Sequence, residues 1–287
     1  MHAAIDFRQR RDLGDVLNAT FLFLRQNLRP MGRSLLYLAA PAWLLLSVPN
    51  ALLQVRLFSL DPASPGDLDV GALGLQYVLV MGLALFASVV EVLVVYGFMV
   101  AYQDRDGADD PGTDDVWRFV RAHFGRVVGV FVVAFAAMVG AAVLVIVPCL
   151  GALAFMAGLF YLGVVVSIAV PVLLREGTGV AAAFTRARAL IRGAFWQTFA
   201  VLFVAWLLVS ILGFLFNLPS MVLIFAGSLH GAGPDGALGV AAVAAGALAT
   251  LSSALLYPIP LVAAGLQYFS LVEEKERVGL MERIDAL

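Results

Sequence analysis

The chain has 287 residues, 62% of them hydrophobic and 13% charged, and its mean hydropathy is +0.96. A soluble domain is ordinarily about half apolar and about a quarter charged, so a water-soluble globule is excluded. The net charge of −2 offers nucleic acid no basic field, and the single cysteine, Cys149, rules out an intrachain disulfide.

In chain order, the first residues lack the apolar core of a cleaved signal peptide. Residues 13–33 read as an amphipathic helix carrying Arg25, Arg29 and Arg33, and they lead directly into an apolar stretch at 35–58. A bilayer core of about 30 Å takes roughly 20 helical residues. By that measure further spans are predicted at 71–102, 127–150, 151–174, 195–226 and 237–272, followed by a charged tail at 273–287. Residues 1–287 are therefore expected to form one polytopic membrane domain. The third and fourth spans make one uncharged run, expected to fold into a hairpin at Pro148-Cys149-Leu150-Gly151 because proline and glycine punctuate helices. Pro258-Ile259-Pro260 is expected to kink or break the sixth span.

Placing both termini on one side collects every basic residue except Arg56 there. Positive residues stay in the cytoplasm during insertion, so the expected topology is N-in, C-in, in the bacterial cytoplasmic membrane. Two more amphipathic segments lie on that side. Residues 113–126 carry Arg121 and Arg126, and residues 179–194 carry Arg186, Arg188 and Arg192. In 179–194, Val180, Phe184, Ala187, Ile191, Ala194 and Phe195 share one arc of the helical wheel. Such helices lie at the lipid surface, and these five arginines are expected to contact lipid headgroups or a partner. The predicted fold class is an all-α integral membrane protein with six transmembrane helices. They are arranged as three repeats of interfacial helix plus transmembrane hairpin. A connector that is basic and amphipathic without any repeat is the plainer alternative.

The run Pro171-x-x-x-x-Glu-Gly-x-Gly-Val-x-x-Ala-Phe-x-Arg-Ala, to Ala187, is followed by Leu190, Gly193, Phe195 and Trp196. It resembles the recurrent segment of the glycerophosphodiester phosphodiesterase membrane-domain-like families of six-span bacterial proteins. The ending LQYFSLVEEKERVGLMERI is similar to their closing segment, with Ser270 and Val272 where those families tend to have Asp and Arg. The resemblance implies a shared membrane fold. It implies no catalysis, since the phosphodiesterase is a separate soluble domain in the proteins that have one.

Glu91 is the one carboxylate inside a predicted span. A charge at a helix centre costs roughly 2.5–3.5 kcal/mol on insertion scales, which makes the residue a functional candidate. It serves either as a proton or cation relay or substrate contact, or as a protonated or interfacial structural acid bonded to a neighbouring helix or to an arginine of an inner amphipathic segment. The loop 103–115 holds Asp104, Asp106, Asp109, Asp110, Asp114 and Asp115, but its D-x-D-G start lacks calcium-loop spacing, so it reads as a solvated linker. Asn50 beside Pro49, and Asn217 near Pro219, read as kinks toward the far ends of their spans. Ser228 and His230 lack an orienting third group, and His2 and His123 lack neighbours at metal-ligand spacing. No catalytic residue, cofactor or metal is proposed.

Small residues recur at Ala242, Gly246, Thr250 and Ala254 in the sixth span and at Gly129, Ala136 and Gly140 in the third. Such faces let helices approach closely, within the bundle or across a dimer. The leading expectation is a non-enzymatic membrane scaffold or accessory subunit organising lipid or a partner. Its partners are membrane lipids, with a second copy or another membrane subunit left open. The alternative is a transporter or channel for a small or lipid-like solute, with Glu91 as its buried ionisable group.

Overall fold

A computed structural model describes residue 7 and residues 9–58, 70–105, 111–147, 150–229 and 236–276. The expectations at Pro148-Cys149, at Asp106, Asp109 and Asp110, at His2 and His230, and beyond residue 276 lie outside the described residues. The described residues contain helices and no strand. In order these are α1 (Leu13–Ser34), a π-helical turn (Leu35–Ala39), α2 (Ala40–Phe58), α3 (Val70–Gln103) and α4 (Thr113–Ala142). After a 3-10 turn (Val143–Ile146) come α5 (Leu150–Glu176), α6 (Val180–Ile191), α7 (Phe195–Leu229), α8 (Ala237–Ala254) and α9 (Pro258–Glu276).

Six helical stretches are long and apolar enough to cross a membrane, as a multi-pass membrane protein requires. Two of them join an expected interfacial segment to the span that follows it. Leu13–Phe58 runs as one helical stretch of 46 residues, and Thr113–Ala142 is one helix of 30. α1 covers the expected 13–33 and runs through the π-helical turn into α2, while 113–126 are the leading turns of α4. The physical cause is backbone pairing. An apolar chain has no other partner for its N–H and C=O groups, so Pro30, Gly32 and Gly125 are carried inside the helix and not used to end it. Only α6 stands alone, close to the expected 179–194. The sixth span breaks as expected, with a turn at 255–257 before Pro258.

The chain divides into two compact units. The first comprises Met1–Gly32, Val92–Trp206 and Ile259–Leu287, and the second Arg33–Glu91 and Leu207–Pro258. In the second, α2 lies along α8. A Cβ added at Gly246 would sit 3.1 Å from both Ala51 Cβ and Ser220 Oγ. Ala242 and Ala249 are buried, and the Asn50 amide donates to Thr250 Oγ1 at 3.1 Å. The small face Ala242-Gly246-Thr250 is therefore a packing face within the bundle, with Ala254 half-buried at its end. Asn217 donates along its own helix to Gly213 O at 2.8 Å, and Pro49 and Pro219 stay inside continuous helices.

In the first unit, α5 packs on both α4 and α6. The buried stripe of α4 is Val116, Val120, Val127 and Val130, and that of α6 is Ala183, Ala187, Leu190 and Ile191. The outer part of α4 is different. Only 6% of the most apolar window of Thr113–Ile146 is buried, against 50% in Val70–Gln103, so α4 presents an apolar wall outward. Gly129 is half-buried against Val180, whereas Ala136 and Gly140 are exposed on that wall. A Cβ on Gly151, at the start of α5, would fall 1.8 Å from Leu144 O, so only glycine fits there.

Candidate functional site

One end of the first unit is built from helix ends. α5 stops at Glu176, and Gly177, at φ 65°, turns the chain in a region open to few other residues. α6 then returns Arg186 to that end. Its Nε donates to both oxygens of Glu176 at 3.2 Å, and its Nη2 donates to Glu276 at the close of α9. Tyr268 Oη donates to Glu176 at 3.1 Å. Partial burial opposes the Arg186 charge, but the bonds to Glu276 and Glu176 outweigh it and hold the guanidinium pKa above its ordinary value. Lys275 completes the clasp. Its Nζ donates to Ala189 O and, at 2.9 Å, to Arg192 O, closing the carbonyl end of α6 with a cation. Gly193, at φ 90°, then turns the chain into α7.

A second network joins α3, α4 and α5. Arg175 pairs with Asp104 at 3.0 Å, Arg105 with Asp115 at 2.6 Å, and Arg118 also with Asp115. The two ends of the acidic loop are thus spent on arginines and not merely solvated. The sequence held a local signal for one pair, Asp115 and Arg118 at helical i,i+3 spacing. The others join residues far apart in the chain.

A third set was not anticipated. Phe7 and residues 9–12 form a strap. Phe7 is buried among Phe23, Tyr102 and Phe269, with ring centroids 5.3–6.0 Å apart. The Arg11 amide donates to Ser270 Oγ at 2.9 Å, while its carbonyl accepts from Ser270 Oγ at 3.2 Å and from Gln197 Nε2 at 3.0 Å. Ser270, which departs from the resembled families' closing segment, is thereby the residue that pins the strap. Arg10 meets Glu274 at 3.4 Å.

Of the five arginines expected at headgroups or a partner, Arg186 pairs with two carboxylates of the chain, Glu176 and Glu276. The remaining four are exposed. Arg121 lies over the exposed Trp117 ring at 5.9 Å. Arg188 and Arg192 precede Trp196, which is 76% exposed. Arg25 and Arg29 of α1 are likewise exposed beside Leu22 and Leu28.

Two cavities open at this end. One, of about 440 Å³, is lined by Arg10, Arg11, Asp12, Leu13 and Gln197. The other, of about 480 Å³, lies over Gly97 and Phe119 between the Asp104, Arg105, Asp115 and Arg118 side chains. Among the described residues, no three His, Cys, Asp or Glu side chains converge on a metal position.

Glu91 belongs to the second unit and is 2% exposed. Trp43, buried nearby, stacks on Tyr257 with centroids 5.5 Å apart. The indole N–H neighbours the Glu91 carboxyl but falls short of hydrogen-bond geometry: neither Trp43 Nε1 nor Glu91 Oε1 has a partner among the described residues. No cation pairs with Glu91 there, and neither of the two cavities above reaches it. No protein-family model, no curated protein and no solved structure matches this chain.

Proposed function

We propose that the chain is a non-enzymatic integral membrane scaffold of the bacterial cytoplasmic membrane, with both termini cytoplasmic, that gathers anionic lipid headgroups around its arginine-rich end. One observation carries this: the arginines divide by use. Arg105, Arg118, Arg175 and Arg186 are paired to carboxylates of the chain. Arg25, Arg29, Arg121, Arg126, Arg188 and Arg192 are exposed, and most have exposed apolar or indole side chains for neighbours. A guanidinium beside an exposed tryptophan suits the depth where lipid phosphates meet acyl chains. The resemblance of residues 171–196 to the six-span families accords with it.

The test is lipid analysis of the protein extracted in native membrane discs. Wild type should be enriched in anionic lipid over the bulk membrane, and the Arg121→Gln, Arg126→Gln, Arg188→Gln, Arg192→Gln variant should lose most of that enrichment. Equal lipid composition around both proteins sinks the proposal. Impermeant labelling of a cysteine at position 188 from outside intact cells would reverse the topology.

A second reading, a transporter or channel for a small or lipid-like solute, is favoured by the enclosed Glu91 oxygen, which has no partner among the described residues. It requires a second state in which water reaches Glu91. In a chain freed of Cys149, a cysteine at position 91 that never reacts with a water-soluble thiol reagent argues against it.

A further inference from the structure

The second unit holds two buried groups that suit each other and are not bonded. Glu91 is 2% exposed and Trp43 is 7% exposed. The carboxyl Oε1, an acceptor, and the neighbouring indole Nε1–H, a donor, both lack a partner among the described residues. Buried polar groups are nearly always hydrogen-bonded, so an open complementary pair marks a place where a second arrangement closes it.

Nothing around Glu91 serves a negative charge in the arrangement seen. No charged side chain among the described residues bears on it. The titratable group that faces it is the Tyr257 phenol. The unit's other titratable groups among those residues are Arg33, Tyr37, Arg56 and Tyr77, all exposed, and Arg56 donates to Gln76 Oε1 at 2.9 Å. The stretches of α7 and α8 in this unit carry no ionisable side chain. A single carboxyl with a donor hydrogen beside it offers a metal cation too few oxygens, whereas a proton needs no further ligand.

The pair is attached to two weak points of the backbone. The Trp43 ring stacks on Tyr257 with planes 23° apart. Trp43 stands one helical turn beyond the π-helical turn Leu35–Ala39, where the Ala40 N–H reaches back to Leu35 O. Pro41 accounts for that turn: its ring crowds the Tyr37 carbonyl, and the wider turn relieves the clash. Tyr257 ends the turn at 255–257, just before Pro258. The stack thus joins two places where regular helix is already interrupted, and such places are where helices bend.

We infer that Glu91 is the proton-binding site of a latch formed by the Trp43–Tyr257 stack. With the proton on, the carboxyl is neutral and the stack is closed, as seen. When the proton leaves to water, the carboxylate takes the Trp43 Nε1–H as its donor, and the turning indole leaves the Tyr257 ring. α2 and the turn at 255–257 are then no longer joined through that stack. No solute has to cross for this, so the latch goes beyond both functions proposed above.

The test is a pH titration of the full chain in lipid discs, with Trp117→Phe, Trp196→Phe and Trp206→Phe so that Trp43 alone of the tryptophans fluoresces. Infrared difference spectra follow the carbonyl band of a protonated carboxylic acid in the same samples. At neutral pH that band should be present, and Glu91→Gln should lack it. On alkalinisation the band should vanish and the Trp43 emission change with one midpoint, while in Glu91→Gln the emission stays flat. Trp43→Phe keeps a ring to stack but removes the donor to the charged form. Proton release should then require a higher pH, by about tenfold in proton concentration. A role confined to packing would not move that midpoint.

Absence of the band at neutral pH overturns the proton site. A band and an emission that stay constant to the alkaline limit of the folded protein overturn the latch. So does a Trp43→Phe midpoint equal to wild type, or an emission change that survives in Glu91→Gln. Should a variant fail to fold, the two wild-type midpoints decide, and a difference between them overturns the latch. None of these results alters the lipid enrichment, and a position 91 closed to the thiol reagent ends the transport reading while the latch stands.

Discussion

The two units solve the same problem with opposite materials. The arginine-rich unit is joined by long-range polar bonds. Arg186 links residues 90 positions apart to Glu276, and Ser270 links the strap to α9 across 259. The second unit holds, among its described residues, only Arg33, Arg56 and Glu91 as charged side chains, and it is joined by the approach of small ones. Near water, where hydrophobic driving force and specificity coexist, directed bonds choose the partner. In lipid, where apolar contact discriminates little, shape does. The two kinds of joint should therefore break in different ways.

The largest effect should come from shape at the tightest point. Gly151→Val places a Cβ 1.8 Å from the Leu144 backbone oxygen. Its cost should reach about 3 kcal/mol or more, seen as loss of the monodisperse peak in gel filtration of detergent extracts. A normal peak and midpoint would rule out the close approach of Gly151 to Leu144.

Next comes Gly246→Leu, whose Cβ meets Ala51 and Ser220 at 3.1 Å, for about 1–3 kcal/mol. Its control is Gly140→Leu, where nothing lies within 4 Å. The same substitution there should leave the thermal midpoint unchanged. If instead Gly140→Leu shifts the oligomeric state in cross-linking, the outer wall of α4 contacts protein and not lipid.

The small face of α8 was legible from its four-residue spacing, and the break before Pro258 from proline chemistry, because both are local rules. The spans were legible from composition alone, since apolar length in lipid leaves the backbone few choices. What was not legible depended on distant pairings. Nothing in 179–194 distinguishes Arg186, bound to Glu176 and Glu276, from Arg188 and Arg192, which face outward. The difference is rotational, a matter of which arc of α6 faces α5. The wheel centred the apolar arc on Val180, Phe184 and Ala187, whereas the buried arc is Ala183, Ala187, Leu190 and Ile191. The strap of Phe7 and residues 9–12 escaped for the same reason: its bonds reach residues 197 and 270, and no periodicity marks them.

Directed bonds should break more gently than shape. Arg186→Gln removes the cation between two carboxylates whose side chains are 25% and 38% exposed, so water recovers much of the loss. The expected cost is about 1 kcal/mol. A double-mutant cycle with Glu276→Gln should return a coupling of similar size, and zero coupling would mean that the clasp is decorative.

Glu91→Gln should have the smallest effect of all, and it separates two meanings of a buried acid. No cation pairs with Glu91 among the described residues, so its charge is not what holds it in place. Glutamine has the same shape and keeps an oxygen able to accept from the Trp43 indole N–H, which lacks a partner among those residues. The thermal midpoint should move within about 0.5 kcal/mol, as for a substitution that disturbs neither packing nor a bonded pair. Glu91→Ala, which leaves a hole beneath the Trp43–Tyr257 stack, should cost clearly more. If Gln proves as damaging as Ala, the carboxylate is bonded through its charge, and the contrast between a unit joined by charge and a unit joined by shape fails at its one acidic residue.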